Sequence, residues 1–225
     1  SRGLGDVYKR QAMPQASAYF VESWEPDIRD SSQTGDFPQE EEWNLTLVNS
    51  RHPLPENYSP ELSPIDGNGE QFDSRASGSL QAMLDKMREE GLSPVVCSGY
   101  RSRELQQTLF DNRVERCLDE GIAQEDAVEE ASRYVAQPGT SEHELGLAAD
   151  IVSENYQLLV EEQENTAEQQ WLMEHCTEYG FILRYPKDKT DLTGVSYEPW
   201  HYRYVGKETA QEIMTQGLCL EEYLK

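Results

Sequence analysis

Basic residues are scarce in this chain: 19 Lys and Arg stand against 43 Asp and Glu, a formal net charge of −24. A polyanion of that size is repelled by a phosphate backbone and by an anionic bilayer surface, which argues against nucleic acid or lipid headgroups as partners. Histidine is scarcer still, with only His52, His143, His175 and His201. No apolar run approaches the ~20 residues that cross a bilayer. The opening residues, Ser1 to Gln11, hold no methionine, no apolar h-region and no small-residue cleavage site. No signal peptide is visible there, and these residues read as a fragment end, which says nothing about export. The four cysteines, Cys97, Cys117, Cys176 and Cys219, form no Cys-x-x-Cys pair, so a structural zinc knuckle is not indicated. They fit any of three disulfide pairings, or free thiols packed as small hydrophobes. With 36% hydrophobic residues in a length of 225, the chain can bury one domain and carry a polar extension, but is too short for two ordinary domains.

The chemistry that is present sits in two short stretches. Ser141-Glu142-His143-Glu144-Leu145-Gly146-Leu147-Ala148-Ala149-Asp150 places a carboxylate seven positions after one histidine, and Glu198-Pro199-Trp200-His201 places one three positions before another. Two imidazoles and an aspartate form an N/O donor set suited to zinc. Three protein ligands leave the fourth tetrahedral position for water or substrate, as a catalytic site requires. Glu198 is then the carboxylate left over to take a proton from that water. The pattern predicts a zinc hydrolase, with His143, Asp150 and His201 as ligands and Glu198 as general base. Gly146 and the alanines disfavour a helix here, so a loop feeding a strand must bring His143 and Asp150 together. Positions three apart point to opposite faces of a flat strand, so Glu198 and His201 converge only where a strand bends or begins, and Pro199 suits either.

These residues carry a family resemblance. Ser141, His143, Gly146, Ala148 and Asp150, followed by Glu198, Trp200 and His201, fill the pattern Ser-x-His-x-x-Gly-x-Ala-x-Asp and Glu-x-Trp-His. That pattern resembles the signature of VanY-type D-alanyl-D-alanine carboxypeptidases, zinc peptidases related to VanX-type dipeptidases and some phage endolysins. A third piece, Ser98-Gly99-Tyr100-Arg101-Ser102 with Gln106 beyond it, resembles the substrate-binding segment of the same family. The resemblance runs from about Trp43 to the C-terminus. It implies a hedgehog/D,D-peptidase-like zinc peptidase fold, one zinc ion per chain, Glu198 as general base, and Arg101 contacting substrate with assistance from Gln106. The implied substrate is a peptidoglycan stem peptide ending in D-Ala-D-Ala, met outside the cytoplasmic membrane by a monomer. An L,D-carboxypeptidase, a stem or cross-bridge endopeptidase, or a zinc-bearing wall-binding module without catalysis would share the same site, though an intact Glu198 argues against the last.

Along the chain, residues 1–42 read as a flexible, Pro- and Glu-rich spacer and residues 43–225 as the carboxypeptidase domain. Trp43 to Asn49 alternates like a strand, and the Pro-rich stretch to Gly69 reads as extended loop. Leu80, Met83, Leu84 and Met87 recur at helical spacing before Gly91. A short strand over Pro94 to Ser98 delivers Arg101 to a strand end, where a guanidinium can grip a carboxylate or polarise a carbonyl. Helices follow over Glu104 to Asp119, with Leu105, Leu109 and Phe110 on one face, and over Gln124 to Val135, with Ala127, Val128, Ala131 and Val135 inward. Leu147 to Val152 reads as a strand of small residues, and Thr166-x-x-Gln169 as a capping box opening a helix to Tyr179 with His175 inward. Strands over Phe181 to Tyr185 and Glu198 to Val205, then a helix over Lys207 to Met214, complete an α+β pattern with a small antiparallel sheet flanked by helices. Ser141 can bind substrate or support His143, and Trp200 can pack or line the substrate wall. Glu142 and Glu144 read as solvated charges, and His52 receives no role.

Overall fold

The sheet is assembled from strands distant in sequence, and its register decides where the chemistry lies. The computed structural model describes residues 40–67 and 69–225. The chain divides into two units, Ser1–Thr46 and Leu47–Lys225. In the first, the described residues form a 3-10 stretch, Glu40–Leu45, with a kink at Glu42. The strand expected over Trp43 to Asn49 is not formed: Thr46 to Val48 has no regular structure, and Asn49 instead caps a turn, its Oδ1 accepting from the backbone N–H groups of Arg51 and His52. An asparagine side chain competing for local backbone donors favours such a turn over a ladder. Almost all of the expected 1–42 spacer lies outside the described residues.

The second unit holds two antiparallel sheets. β1 (Leu62–Pro64) and β2 (Gln71–Asp73) form a two-stranded ribbon where extended loop was expected. The larger sheet runs β3 (Pro94–Ser98), β4 (Ala148–Ser153), β6 (His201–Tyr204), β5 (Phe181–Leu183), antiparallel throughout. In β4–β6, Asp150 pairs directly with His201, and Ala148 with Arg203. Ser98 of β3 also pairs with Asp150, after a register shift. Directly opposed residues share a face, and successive residues alternate. Ser98, Asp150, His201 and Arg203 therefore stand on the front of the sheet. Ile151 and Tyr202 stand on its back.

Helix Ser77–Glu89 forms as its periodicity predicts, burying Leu80, Met83, Leu84 and Met87 and packing against β2 and β3. At ~1.5–3 kcal/mol per buried side chain, these four make it one of the main anchors of the core. Helix Ala167–His175 opens on Thr166, whose hydroxyl accepts from the Gln169 N–H, and closes through a 3-10 turn at Gly180. It packs against the back of β4, where Gln169 donates to the Ile151 carbonyl and accepts from the Tyr202 hydroxyl. His175 is not inward as expected: it is partly exposed and pairs with Glu178.

Helices Arg103–Asp119 and Gln124–Ser132 pair through a small cluster of Phe110, Cys117, Ala127 and Ala131. The inward face of the first is Gln106, Phe110 and Cys117, while Leu105 is exposed, as is Val128 on the second; both leucine and valine were expected inward. A helix with so thin a core leaves apolar positions in water, as ordinary protein surfaces do. Helix Lys207–Gln216 backs β5, and a last turn, Leu220–Tyr223, ends the fold. All four cysteines are free thiols, three of them buried. Among the described residues no helix is long and apolar enough to cross a membrane.

Candidate metal centre

His143 arrives on a helix of one turn, Glu142–Leu145, where no helix was expected. Ser141 caps it, its Oγ accepting from the His143 N–H, and Gly146 ends it at φ 83°. A left-handed residue is the common way to stop a helix, and glycine takes it without strain. The chain then enters β4 at Ala148 and reaches Asp150. Glu198 lies in the turn just before β6, so it and His201 converge because the strand is only beginning: His201 Nδ1 is 3.7 Å from Glu198 Oε2.

The structure brings His143, Asp150 and His201 together, all buried, with one donor atom from each within 4.8 Å of the others. Each imidazole has one nitrogen committed elsewhere. His143 Nδ1 lies 2.8 Å from the Gly99 carbonyl, which can only accept, so Nδ1 carries the proton and Nε2 is bare. His201 Nε2 faces Glu142 Oε2 at 3.4 Å, leaving Nδ1 toward the cluster. The facing nitrogens lie 3.3 Å (His143 Nε2) and 3.1 Å (His201 Nδ1) from Asp150 Oδ1. A tetrahedral zinc with ligands at ~2.0–2.1 Å has edges of about 3.3 Å. The donor set suits that ion, and the two edges that meet at Asp150 match its spacing.

The electrostatics agree. Burial opposes charge on Asp150, but the two histidines hold its carboxyl well below the usual range. Burial, aided by Arg101, lowers His143. Burial also pulls His201 down, yet its hydrogen bonds with Asp150 and Glu142 win and push it up to about 9. A proton so favoured at this point marks a place where positive charge is stabilised. Burial pushes the Glu198 carboxyl up to about 8, against the pull of His201, which makes it a stronger base than a solvated glutamate.

Arg101 stands at the end of β3, its guanidinium donating to Ser98 Oγ (2.7 Å), Gln106 Oε1 (3.3 Å) and Asp150 Oδ2 (2.9 Å). Three of its five N–H groups are thereby used, and two remain. Gln106 is fully buried, with its Nε2 donating to the Ala136 carbonyl and its Oε1 accepting from Arg101. Trp200 is half-buried, and its carbonyl accepts from the Ile151 N–H.

Glu142 and Glu144 are corrections: both are buried rather than solvated. Glu144 accepts from the Gly139 N–H and lies 3.4 Å from Arg103, fastening the loop before His143. Glu142 accepts from Arg184 and Arg203, each at 2.7 Å. A signal for this existed in the sequence: Arg184 and Arg203 interrupt apolar strand runs, and a buried arginine needs a carboxylate.

The model of the VanY family, D-alanyl-D-alanine carboxypeptidase, matches residues 69–207. A D-alanyl-D-alanine carboxypeptidase of Enterococcus faecalis is 49% identical over 185 residues, covering 82% of this chain and 67% of that protein. Among solved structures, VanYB in complex with D-alanine-D-alanine superposes with a TM-score of 0.74 at 49% identity, covering 81% of this chain and 98% of that one. A mutant of the vancomycin resistance D,D-pentapeptidase VanY from the VanB-type cassette, in complex with Zn(II), gives 0.74 at 48%, covering 82% and 100%. The chain belongs to the VanY family of D-alanyl-D-alanine carboxypeptidases.

Proposed function

We propose that this carboxypeptidase releases the terminal D-alanine from peptidoglycan stem peptides ending in D-Ala-D-Ala, with zinc held by His143, Asp150 and His201 and with Glu198 as the general base. The observation that carries the reading is the convergence of three buried donor atoms, two of them at zinc-tetrahedron distance from Asp150 Oδ1, with the Glu198 carboxylate alongside. Zinc supplies Lewis-acid polarisation of the scissile carbonyl and acidifies water at the site. Glu198 takes a proton at Oε2 as water adds to the carbonyl, and returns it to the departing amine of D-alanine. Its raised proton affinity suits both steps. The two remaining N–H groups of Arg101 bind either the terminal carboxylate or the scissile carbonyl of the substrate, while Ser98, Gln106 and Asp150 fix the guanidinium. Ser141 supports His143 from its capping position, and the half-buried Trp200 lines the substrate wall.

The enzyme acts outside the cytoplasmic membrane, where that substrate is met, and as a monomer, since one chain supplies every group named. The test is mass spectrometry of muropeptides incubated with the zinc-loaded protein, with and without chelator, including a pentapeptide amidated at its C-terminus. Loss of one alanine from the free pentapeptide, stopped by chelator and weak on the amide, is expected. Faster trimming of tetrapeptides would move the enzyme to L,D-carboxypeptidases, and internal cleavage would make it an endopeptidase.

A further inference from the structure

We infer that Glu142 is a positioning residue for the metal centre: a buried carboxylate, clamped by Arg184 and Arg203, that holds the proton of His201 on Nε2 and thereby presents Nδ1 to the ion. The inference deepens the ligand assignment above and rests on it.

Glu142 is 1% exposed and, from the one-turn helix, reaches His201 and Arg203 on the front of the sheet. Its Oε1 accepts from Arg184 Nε and from Arg203, both at 2.7 Å, and its Oε2 faces His201 Nε2 at 3.4 Å. Arg184 continues outward, donating through both terminal nitrogens to Glu221 at 2.8 and 2.6 Å. Glu221 also accepts from Asn49. Two guanidinium groups and two carboxylates thus form a charge-balanced cluster, with both arginines fully buried. Desolvating such groups costs several kcal/mol per ion, and replacing the set with apolar residues is often neutral or better for stability. The cluster therefore needs a reason other than stability, and its inner end touches a proposed metal ligand.

The chemistry supplies the reason. A histidine ligand must offer a bare nitrogen, and which nitrogen is bare is fixed by what the other one bonds. Arg184 and Arg203 both donate to Glu142 Oε1 at 2.7 Å, so the group faces two permanent cations and offers them only oxygen. It is then an acceptor only, so the proton of a neutral His201 belongs on Nε2. The arginines aim Glu142; Glu142 does the orienting.

Glu142→Gln tests this with little change of shape. Arginines only donate, so the amide oxygen must face them and the amide NH₂ must face His201. Donor then meets donor, and relief comes by moving the His201 proton to Nδ1, the nitrogen the ion needs. Zinc affinity, measured by chelator competition, is expected to fall ~10–100-fold, as for other partners of metal-bound histidines. Glu221→Gln breaks the outer end of the same cluster and leaves Glu142 beside His201. It should lower Tm while zinc affinity stays at the wild-type value. Glu142→Gln with wild-type zinc affinity overturns the inference, as does an equal loss of affinity in Glu221→Gln. Should Glu142→Gln fail to fold, ¹⁵N NMR of the zinc-loaded wild type decides: a protected proton on His201 Nε2 supports the inference, and its absence overturns it. His201→Ala separates the two levels. Full zinc occupancy there removes the ligand assignment and this inference with it; zinc lost there but kept in Glu142→Gln removes this inference alone.

Discussion

On one side of the cluster His143 leans on a backbone carbonyl, Gly99; on the other, His201 leans on a carboxylate set between two buried arginines. The first support has no side chain of its own. Its position is set at the strand end, where the Gly99 N–H donates to the Glu70 carboxylate at 2.7 Å and the Tyr100 N–H to the Gln71 carbonyl. The second is assembled from side chains on three elements and needs full charge compensation to exist. A peptide carbonyl orients an imidazole at small desolvation cost, while a buried carboxylate does so more strongly but demands partners. The same centre thus combines a support that is hard to alter by substitution with one that a single amide would reverse.

Removing either histidine proposed as a ligand is the largest perturbation. His143→Ala and His201→Ala are each expected to lose zinc and, with it, all measurable hydrolysis. Metal analysis of the purified variants checks this, and full occupancy in one of them would strike that residue from the ligand set. Next comes Glu198→Gln, which touches neither support. It should fold, keep zinc and lose ~10²–10⁴ of turnover, since an amide cannot take the proton. Near-wild-type turnover would mean that another group is the base.

The contrast itself is sharpened by Gly99→Ala. A Cβ added there is driven into the Gln71 carbonyl oxygen, which is backbone and cannot swing aside. The strand end must shift, and the carbonyl that holds His143 moves with it. A ~10–100-fold loss of zinc affinity is expected, together with a stability cost of ~1–3 kcal/mol for the forced fit. Unchanged affinity would show that His143 does not depend on that carbonyl.

How much of this was legible follows the same division. The convergence of His143, Asp150, His201, Glu198 and Arg101 could be anticipated from compact stretches, as could the Ser77–Glu89 helix and the stops at Gly91 and Gly180. The supports could not, because they are non-local: Glu142 meets Arg184 and Arg203 across separations of 42 and 61 residues. Adjacent to a histidine in an acidic chain, it looks like one more surface glutamate. The β1–β2 ribbon was missed because three-residue strands carry too little alternation to register. The one-turn helix at His143 was missed because Gly146, taken as a helix breaker, is its cap. Leu105 and Val128 were placed inward because spacing defines a stripe without saying whether anything covers it.

The smallest effect belongs to the back of the sheet. Thr166 accepts from the Gln169 N–H at 3.2 Å, and Gln169 then bonds both the Ile151 carbonyl and the Tyr202 hydroxyl. Ile151 and Tyr202 neighbour Asp150 and His201 in sequence but face the other way. If the two faces act independently, Thr166→Ala removes a helix cap and the hydroxyl's bond to the Gln163 carbonyl, and nothing at the metal centre. The loss should be ~0.5–2 kcal/mol of stability, seen as a fall in Tm of a few degrees, with about 2–4 °C per kcal/mol for a domain of this size. Zinc affinity and turnover should match the wild type, because the sheet's own hydrogen bonds keep the Asp150–His201 pair in register when the helix end frays. A parallel loss of zinc affinity would show that the helix behind the sheet sets the donor spacing in front of it, and the supports would then number three rather than two.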